Sequence, residues 1–184
     1  MTTIITHMAI PLLSRAALGK EKISNRLLCA GLAASILPDL DVVLFKFGVA
    51  YANQFGHRGA SHSLLFVLIL ALLAVCFARL LKCTRWQAFL FVGISALSHS
   101  VLDAFTNGGL GVGWLWPWDQ TRYFFPYTPI EVSPFSPRHF LTERGTKVII
   151  SELLWVWLPS GISTFAIRFW RKHTIKAKPA MQPL

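Results

Sequence analysis

The sequence predicts an all-α integral membrane protein: a helical bundle of four transmembrane helices, plus a short N-terminal helix that is either interfacial or spanning. Composition is the first reason. Hydrophobic residues make up 54% of the 184-residue chain and charged residues only 14%, with a mean hydropathy of +0.52. Soluble domains carry about 25% charged residues, so this chain has too little charge to cover a water-facing surface. The second reason is placement: Lys and Arg fall in short clusters between long apolar runs. The clusters are Arg15/Lys20/Lys22/Arg26, Arg79/Lys82/Arg85 and Arg168/Arg171/Lys172/Lys176/Lys178.

Taken in chain order, Ile4–Leu18 is apolar but short, and either lies in the interface or passes into the bilayer against its neighbours. Leu27–Phe47 is long enough to span, although Pro38, Asp39 and Asp41 interrupt it. Gly59–Ala78 is the clearest span, with twenty residues free of Lys, Arg, Asp and Glu. A hydrocarbon core of about 30 Å needs about 20 helical residues. Trp86–Leu102 is uncharged over seventeen residues and reads as another span. Val148–Ile167 is the fourth, with Glu152 inside it and a kink expected near Pro159 and Gly161. Between the last two spans, Thr106–Lys147 forms a 42-residue loop with Trp114, Trp116, Trp118, Tyr123 and Tyr127. Trp and Tyr collect at membrane–water interfaces, so this loop reads as an ordered interfacial cap. No Ser/Gly/Pro-rich linker divides the chain. One membrane-embedded domain is therefore expected over 1–172, with the aromatic loop at about 106–147 and a basic cytoplasmic tail at 173–184.

The net charge of +10 raises nucleic acid as a partner, but clusters at span ends follow the positive-inside rule instead. No direct nucleic-acid binding is expected, and the expected partner surface is the lipid bilayer. The segments 1–26, 79–85 and 168–184 hold 12 Lys and Arg against 6 in the remaining loops. That bias assigns the first group to the cytoplasm and the aromatic loop to the outside. Cys29, Cys76 and Cys83 are too few and too scattered for a disulfide framework. Met1–Gly19 lacks the basic start of a signal peptide, and Pro11 and Arg15 interrupt its apolar stretch.

The informative residues are polar ones where a bilayer disfavours them. An ionisable side chain at mid-bilayer costs about 2.5–3.5 kcal/mol on insertion scales. The set is His7, Asp39, Asp41, His57, His62, His99 and Asp103. Singly each has a bland reading: His7 as an interfacial residue, Asp39 as a cap after Pro38, His57 and His62 as loop residues. Together they form a pattern. His99 and Asp103 are four residues apart, on one helical face. At about 1.5 Å per residue, Asp39 and Asp41 lie roughly 18–21 Å from the cytoplasmic end of their span, and His99 and Asp103 roughly 20–26 Å from theirs. His7 lies roughly 17 Å above Leu18 if that segment descends as a helix. Imidazole with carboxylate is a ligand set for divalent Zn, Mn or Fe, and a bound ion can turn water into a nucleophile. No HExxH or paired CxxC motif accompanies it.

The motifs Thr6-His7, Leu37-Pro38-Asp39-Leu40-Asp41, His57-Arg58-Gly59-Ala60-Ser61-His62-Ser63 and His99-Ser100-Val101-Leu102-Asp103 occur in this order. With Leu115-Trp116-Pro117-Trp118-Asp119, they resemble the LexA-binding, inner-membrane-associated hydrolase family of bacteria, also called membrane-bound metal-dependent hydrolases. The resemblance runs from about His7 to Phe125. Ser61 stands where members are expected often to carry Thr, and it keeps the hydroxyl. The resemblance implies a multi-pass protein of the bacterial inner (cytoplasmic) membrane, a metal-dependent hydrolase, and LexA as a partner.

The preferred expectation is therefore a hydrolase acting at the membrane on a phosphoester or lipid-like substrate. His7, His62, His99 and Asp103 are the expected metal ligands, with Asp39 or Asp41 as a further ligand or general base. His57 is a proton shuttle or an added ligand, and Arg58 either neutralises an anionic group or is an ordinary loop charge. Trp116, Trp118 and Tyr123 line an interfacial opening or serve as belt residues. The alternative is a non-catalytic membrane protein whose polar or metal cluster is structural and which binds a partner. A transporter ranks third, since the stretches LLCAGLAAS, FVLILALLAV and FLFVGIS offer no polar path across the cytoplasmic half.

Overall fold

A computed structural model describes residues 1–134 and 137–176 of the chain, and they form a helical bundle with no β-strand among the described residues. Two short helices, α1 (Ile4–His7) and α2 (Ala9–Leu18), open the chain. Helix α3 (Asn25–Ile36) starts at Ser24, whose hydroxyl accepts from the Leu27 N–H at 3.1 Å. It runs without a break into a 3₁₀ helix, Leu37–Phe47, because Pro38 removes a backbone donor just where the α-helical ladder would continue. Gly48, at φ 81°, ends that helix.

The clearest sequence span is helical over fewer residues than expected. Helix α4 covers Leu64–Cys76, 13 residues and about 20 Å. Gly59 and the 3₁₀ turn Ala60–His62 precede it as an irregular segment, and Ser63 caps the helix by accepting from Phe66 N–H at 3.1 Å. Helix α5 (Arg85–Ala104) is the central element, begun by a capping box between Thr84 and Gln87. Then come α6 (Pro137–Phe140), α7 (Glu143–Glu152), a π-helical turn at Leu153–Trp157, and α8 (Leu158–Lys176). The widened turn sits directly before Pro159, where a kink was expected, and it makes room for the ring and for the missing N–H. The last long helix thus begins at Glu143, inside the stretch read as loop. Three helical stretches are long and apolar enough to cross a membrane, Asn25–Phe47, Arg85–Ala104 and Glu143–Thr174, with Ile4–Leu18 and Leu64–Cys76 as shorter apolar helices.

Small residues let these helices approach closely. Ala34, Ala74, Ala78, Ala88, Val92 and Ala96 form the core between α3, α4 and α5, together with Ile23 and Leu27. Gly31 packs against the Phe91 ring at a distance that leaves no room for a Cβ. The large side chains of α4 point outward, with Ile69, Leu72 and Leu73 each about half exposed, as expected for a face turned to lipid rather than water. Residues 177–184, most of the expected basic tail, lie outside the described residues, and the described parts of the three basic segments meet at one end of the bundle. There Ser24 Oγ donates to Leu81 O at 2.5 Å, Arg26 to Leu80 O at 3.0 Å and Arg171 to Ala17 O at 2.8 Å. The aromatic loop covers the opposite end. It is pinned by paired backbone bonds between Val112 and Tyr123 and by Arg122, which donates to the carbonyls of Tyr51, Asn53 and His57.

Candidate metal centre

Four segments that are remote in sequence converge under the aromatic cap. Helix α1 brings His7, the 3₁₀ helix after α3 brings Asp39 and Asp41, the irregular segment before α4 brings His57, Arg58 and His62, and α5 brings His99 and Asp103. The four histidines, Arg58 and Asp103 are 0% exposed, and Asp39 and Asp41 are 6% and 7% exposed. So much charge out of water is tolerated only when it is paired or holds an ion.

Hydrogen bonds orient the rings. His99 Nδ1 lies 2.8 Å from Ser35 O, a pure acceptor, so Nδ1 carries the proton and Nε2 presents a lone pair. Ser61 Oγ donates to Asp41 Oδ2 at 2.5 Å and therefore accepts from His62 Nδ1 at 2.9 Å, which again leaves Nε2 as the lone pair. These tautomers follow from the bonding network. The two Nε2 atoms face each other at 3.0 Å. Two lone pairs at that distance repel unless a proton or a cation stands between them. The His7 ring stacks on His99 with centroids 3.7 Å apart, and its Nε2 lies 2.9 Å from Thr2 Oγ1.

The carboxylates divide into held and unheld. Asp103 is clamped: Thr2 N–H donates to Oδ1 at 3.0 Å and Arg58 Nε to Oδ2 at 3.2 Å. Arg58 sits at φ 67° and spends its remaining arms on Gly108 O at 2.7 Å and Thr106 Oγ1 at 2.8 Å. It is thus directed at protein groups and braces Asp103. Asp41 accepts from His57 Nδ1 at 2.7 Å and from Ser61. Burial pushes the His57 pKa down, against the opposing pull of the Asp41 hydrogen bond. Asp39 differs: neither of its buried oxygens has a hydrogen-bond partner among the described residues.

The spacings suit an ion better than hydrogen bonds. His99 Nε2 is 3.4 Å from Asp39, His7 Nε2 is 3.6 Å from both Asp39 and Asp103, and His62 Nε2 is 3.5 Å from Asp103 and 3.8 Å from Asp39. Ligand atoms each about 2.0–2.2 Å from one ion lie roughly 3–3.6 Å from one another. His7, Asp39, His99 and Asp103 offer donor atoms all within 4.8 Å of each other, and so do Asp39, His57 and His62. Asp39 belongs to both groups. Imidazole nitrogens with carboxylate oxygens suit Zn, Mn or Fe, so the residues present fit a divalent ion.

Every residue singled out in the sequence as a ligand or catalytic candidate thus lies at this one place, Arg58 at its edge. Three contributors were not singled out. Glu152, 4% exposed, accepts from Thr3 N at 2.5 Å and from the hydroxyls of Thr3 and Thr6 at 2.6 Å, tying the segment that carries His7 to α7. Its signal was available, since it is the lone acid in an apolar span. Thr2 and the Ser35 carbonyl gave none.

The comparisons with known proteins agree with the membrane reading. The YdjM inner membrane protein family matches residues 1–174. The chain is 49% identical over 179 residues to the inner membrane protein YbcI of Escherichia coli K12, covering 94% of this chain and all of that protein. No solved structure matches. The chain belongs to the YdjM inner membrane protein family and is an inner-membrane protein.

Proposed function

We propose that this member of the YdjM family is a metal-dependent hydrolase, in which His7, His62, His99, Asp39 and Asp103 hold a divalent ion and the substrate is a phosphoester or a lipid-like ester. One observation supports it above the others. Asp39 is a buried carboxylate with no hydrogen-bond partner among the described residues, its oxygens lie 3.4–3.9 Å from nitrogens of four imidazoles, and the same residue lines an open groove. A purely structural site is closed on all sides by protein; a catalytic one keeps a side open.

A divalent ion bound here supplies Lewis acidity and draws the pKa of water toward neutrality. The remaining work falls to the chain's own groups. In hydrolysis the water oxygen bonds to phosphorus or to the acyl carbon while the ester oxygen departs. One proton of the water is taken up locally, and one is delivered to the leaving oxygen. His57, oriented by its 2.7 Å bond to Asp41, is the proton carrier in this scheme, and Asp39 is the carboxylate nearest the open side. Arg58 positions Asp103.

The test is elemental analysis of the detergent-purified protein beside His99→Ala/Asp103→Ala. About one Zn, Mn or Fe per chain, lost in the double variant, is expected. No metal in the wild type refutes the proposal. The second reading, a non-catalytic protein whose cluster is structural and which binds a partner such as LexA, draws on the complete burial of His62, His99 and Asp103. It predicts bound metal without hydrolysis and retention of LexA on the immobilised protein. A through-path for transport finds no support, because the core toward the basic end is Ile23, Leu27, Ala78 and Ala88.

A further inference from the structure

Among the described residues, a route from the cluster to the surroundings that carries both volume and chemistry leads sideways, not up through the aromatic cap. Beside the cap, the cavity between Gln54, Trp116, Gln120 and Arg122 holds only about 20 Å³, room for about one water. Trp116 is engaged there, with its Nε1 donating to Gln54 at 3.2 Å and its ring against Phe55. Trp118 is 80% exposed, and Tyr123 donates to Asp119. These aromatics therefore do not frame an opening of useful size.

The groove on the other side measures about 670 Å³, within the range of roughly 300–1,000 Å³ usual for ligand sites. Its walls are mostly apolar: Ile4 and Ile5 from α1, Ile36 from the end of α3, Leu40 from its 3₁₀ continuation, Phe140 from α6 and Leu141 just after it. Among its side chains the charged one is Asp39, and Met1, Thr2, Thr3 and Ser133 also line it. Ile4, Ile5, Leu40 and Leu141 are all more than half exposed along it. Exposed Ile and Leu on helices of this apolar chain are turned to hydrocarbon rather than to water. A groove open to hydrocarbon, with an apolar wall and a carboxylate that also faces three of the imidazoles proposed as ligands, matches an amphiphile. The tail lies along the wall and the polar head meets the cluster.

We infer that this groove binds a bilayer lipid, with its apolar tail along Ile5, Ile36 and Leu40 and its ester or phosphoester head at Asp39. The substrate then arrives laterally from the bilayer and is a lipid, not a water-soluble phosphoester. This deepens the hydrolase reading and rests on it only for the chemistry at the head. The tail site stands on its own.

The experiment purifies the full chain from phosphatidylethanolamine/phosphatidylglycerol membranes, delipidates it partly in detergent, and counts retained lipid by native mass spectrometry. Metal content is measured in the same samples. Ile5→Trp and Leu40→Trp fill the groove; Leu72→Trp, on the outward face of α4, is the control. Wild type and Leu72→Trp are expected to retain about one lipid under conditions where both groove variants lose it by tenfold or more, with metal content equal in all four. Photo-cross-linking with phosphatidylglycerol carrying a diazirine at the chain end should label Leu40 or Leu141 in preference to Leu72. Equal retention in all four proteins, or labelling no denser at the groove than on α4, overturns the inference. Lipid retained at the groove in a protein without metal upholds the tail site and removes the hydrolase reading, so the two fail separately. If the groove variants fail to fold, the cross-link map of the wild type decides alone.

Discussion

Glu152 makes no contact with the donor atoms of the cluster, yet its replacement should weaken metal binding. Its carboxylate accepts three bonds: Thr3 N–H on Oε1, and the hydroxyls of Thr3 and Thr6 on Oε2. Glu152→Gln keeps the shape but turns one oxygen into a donor. If the amide nitrogen replaces Oε1 it confronts the Thr3 N–H, donor against donor. If it replaces Oε2, both hydroxyls must reverse, although Thr6 Oγ1 already accepts from Trp157 Nε1 at 2.9 Å. Either way at least one bond to a charged group is lost and one buried donor is stranded, a cost of about 2–4 kcal/mol. That cost falls on the Thr2–His7 segment, which supplies His7 and the Thr2 N–H bond to Asp103. Outer partners of metal ligands typically change affinity by about 10–100-fold, and the same range is expected here. Competition against a fluorescent chelator measures it, on detergent-solubilised protein whose helicity matches wild type. Glu143→Gln, exposed on the same helix, should have no effect. Unchanged affinity in a folded Glu152→Gln refutes the idea that α7 sets the position of His7.

Other consequences follow from the same geometry. Arg58→Met leaves the buried Asp103 carboxylate uncompensated and should cost about 3–5 kcal/mol, seen as a lowered midpoint of thermal unfolding that added metal partly restores; an unchanged midpoint without metal contradicts the bracing role. Ser61→Ala removes the acceptor that fixes the His62 tautomer, so metal affinity should fall while the unfolding midpoint of the metal-free protein moves by less than about 1 kcal/mol equivalent. Lowering pH should release metal, because imidazole ligands must be deprotonated to bind. For His57 the sign follows from burial. Its folded pKa is lowered, so the unfolded chain takes up the proton first, and this contribution to stability is lost as pH falls through the ordinary histidine value of about 6.5. Stability of His57→Gln should vary less with pH across that range than wild type, as read by unfolding at pH 7.5 and 5.5.

What the sequence made legible, and what it hid, divide along a physical line. Charge in a bilayer is costly wherever the chain runs, so Asp39, Asp41, His99 and Asp103 stood out from composition alone, and rise per residue brought them to one level. The helical bundle was legible from its apolar runs, although three of them, not four, form helices long enough to cross a membrane. Helix ends were not. Gly59–His62 is as free of charge as the helix after it, and only the demands of the site, with Ser61 and His62 turned to Asp41 and Asp103, draw it out of helical form. Arg58 shows the limit from the other side. A guanidinium next to an apolar span suits an anionic ligand by its chemistry, yet its partners Gly108 and Thr106 lie some 50 residues on, in a loop whose path no periodicity reveals. Long-range hydrogen bonds to backbone carbonyls leave no trace in side-chain pattern, which is why Ser35 was silent while His99 was not. The groove needed three segments in place before its walls existed. Its significance lies in Asp39, the residue that the pattern marked first and that the fold leaves shared between the cluster and the surrounding hydrocarbon.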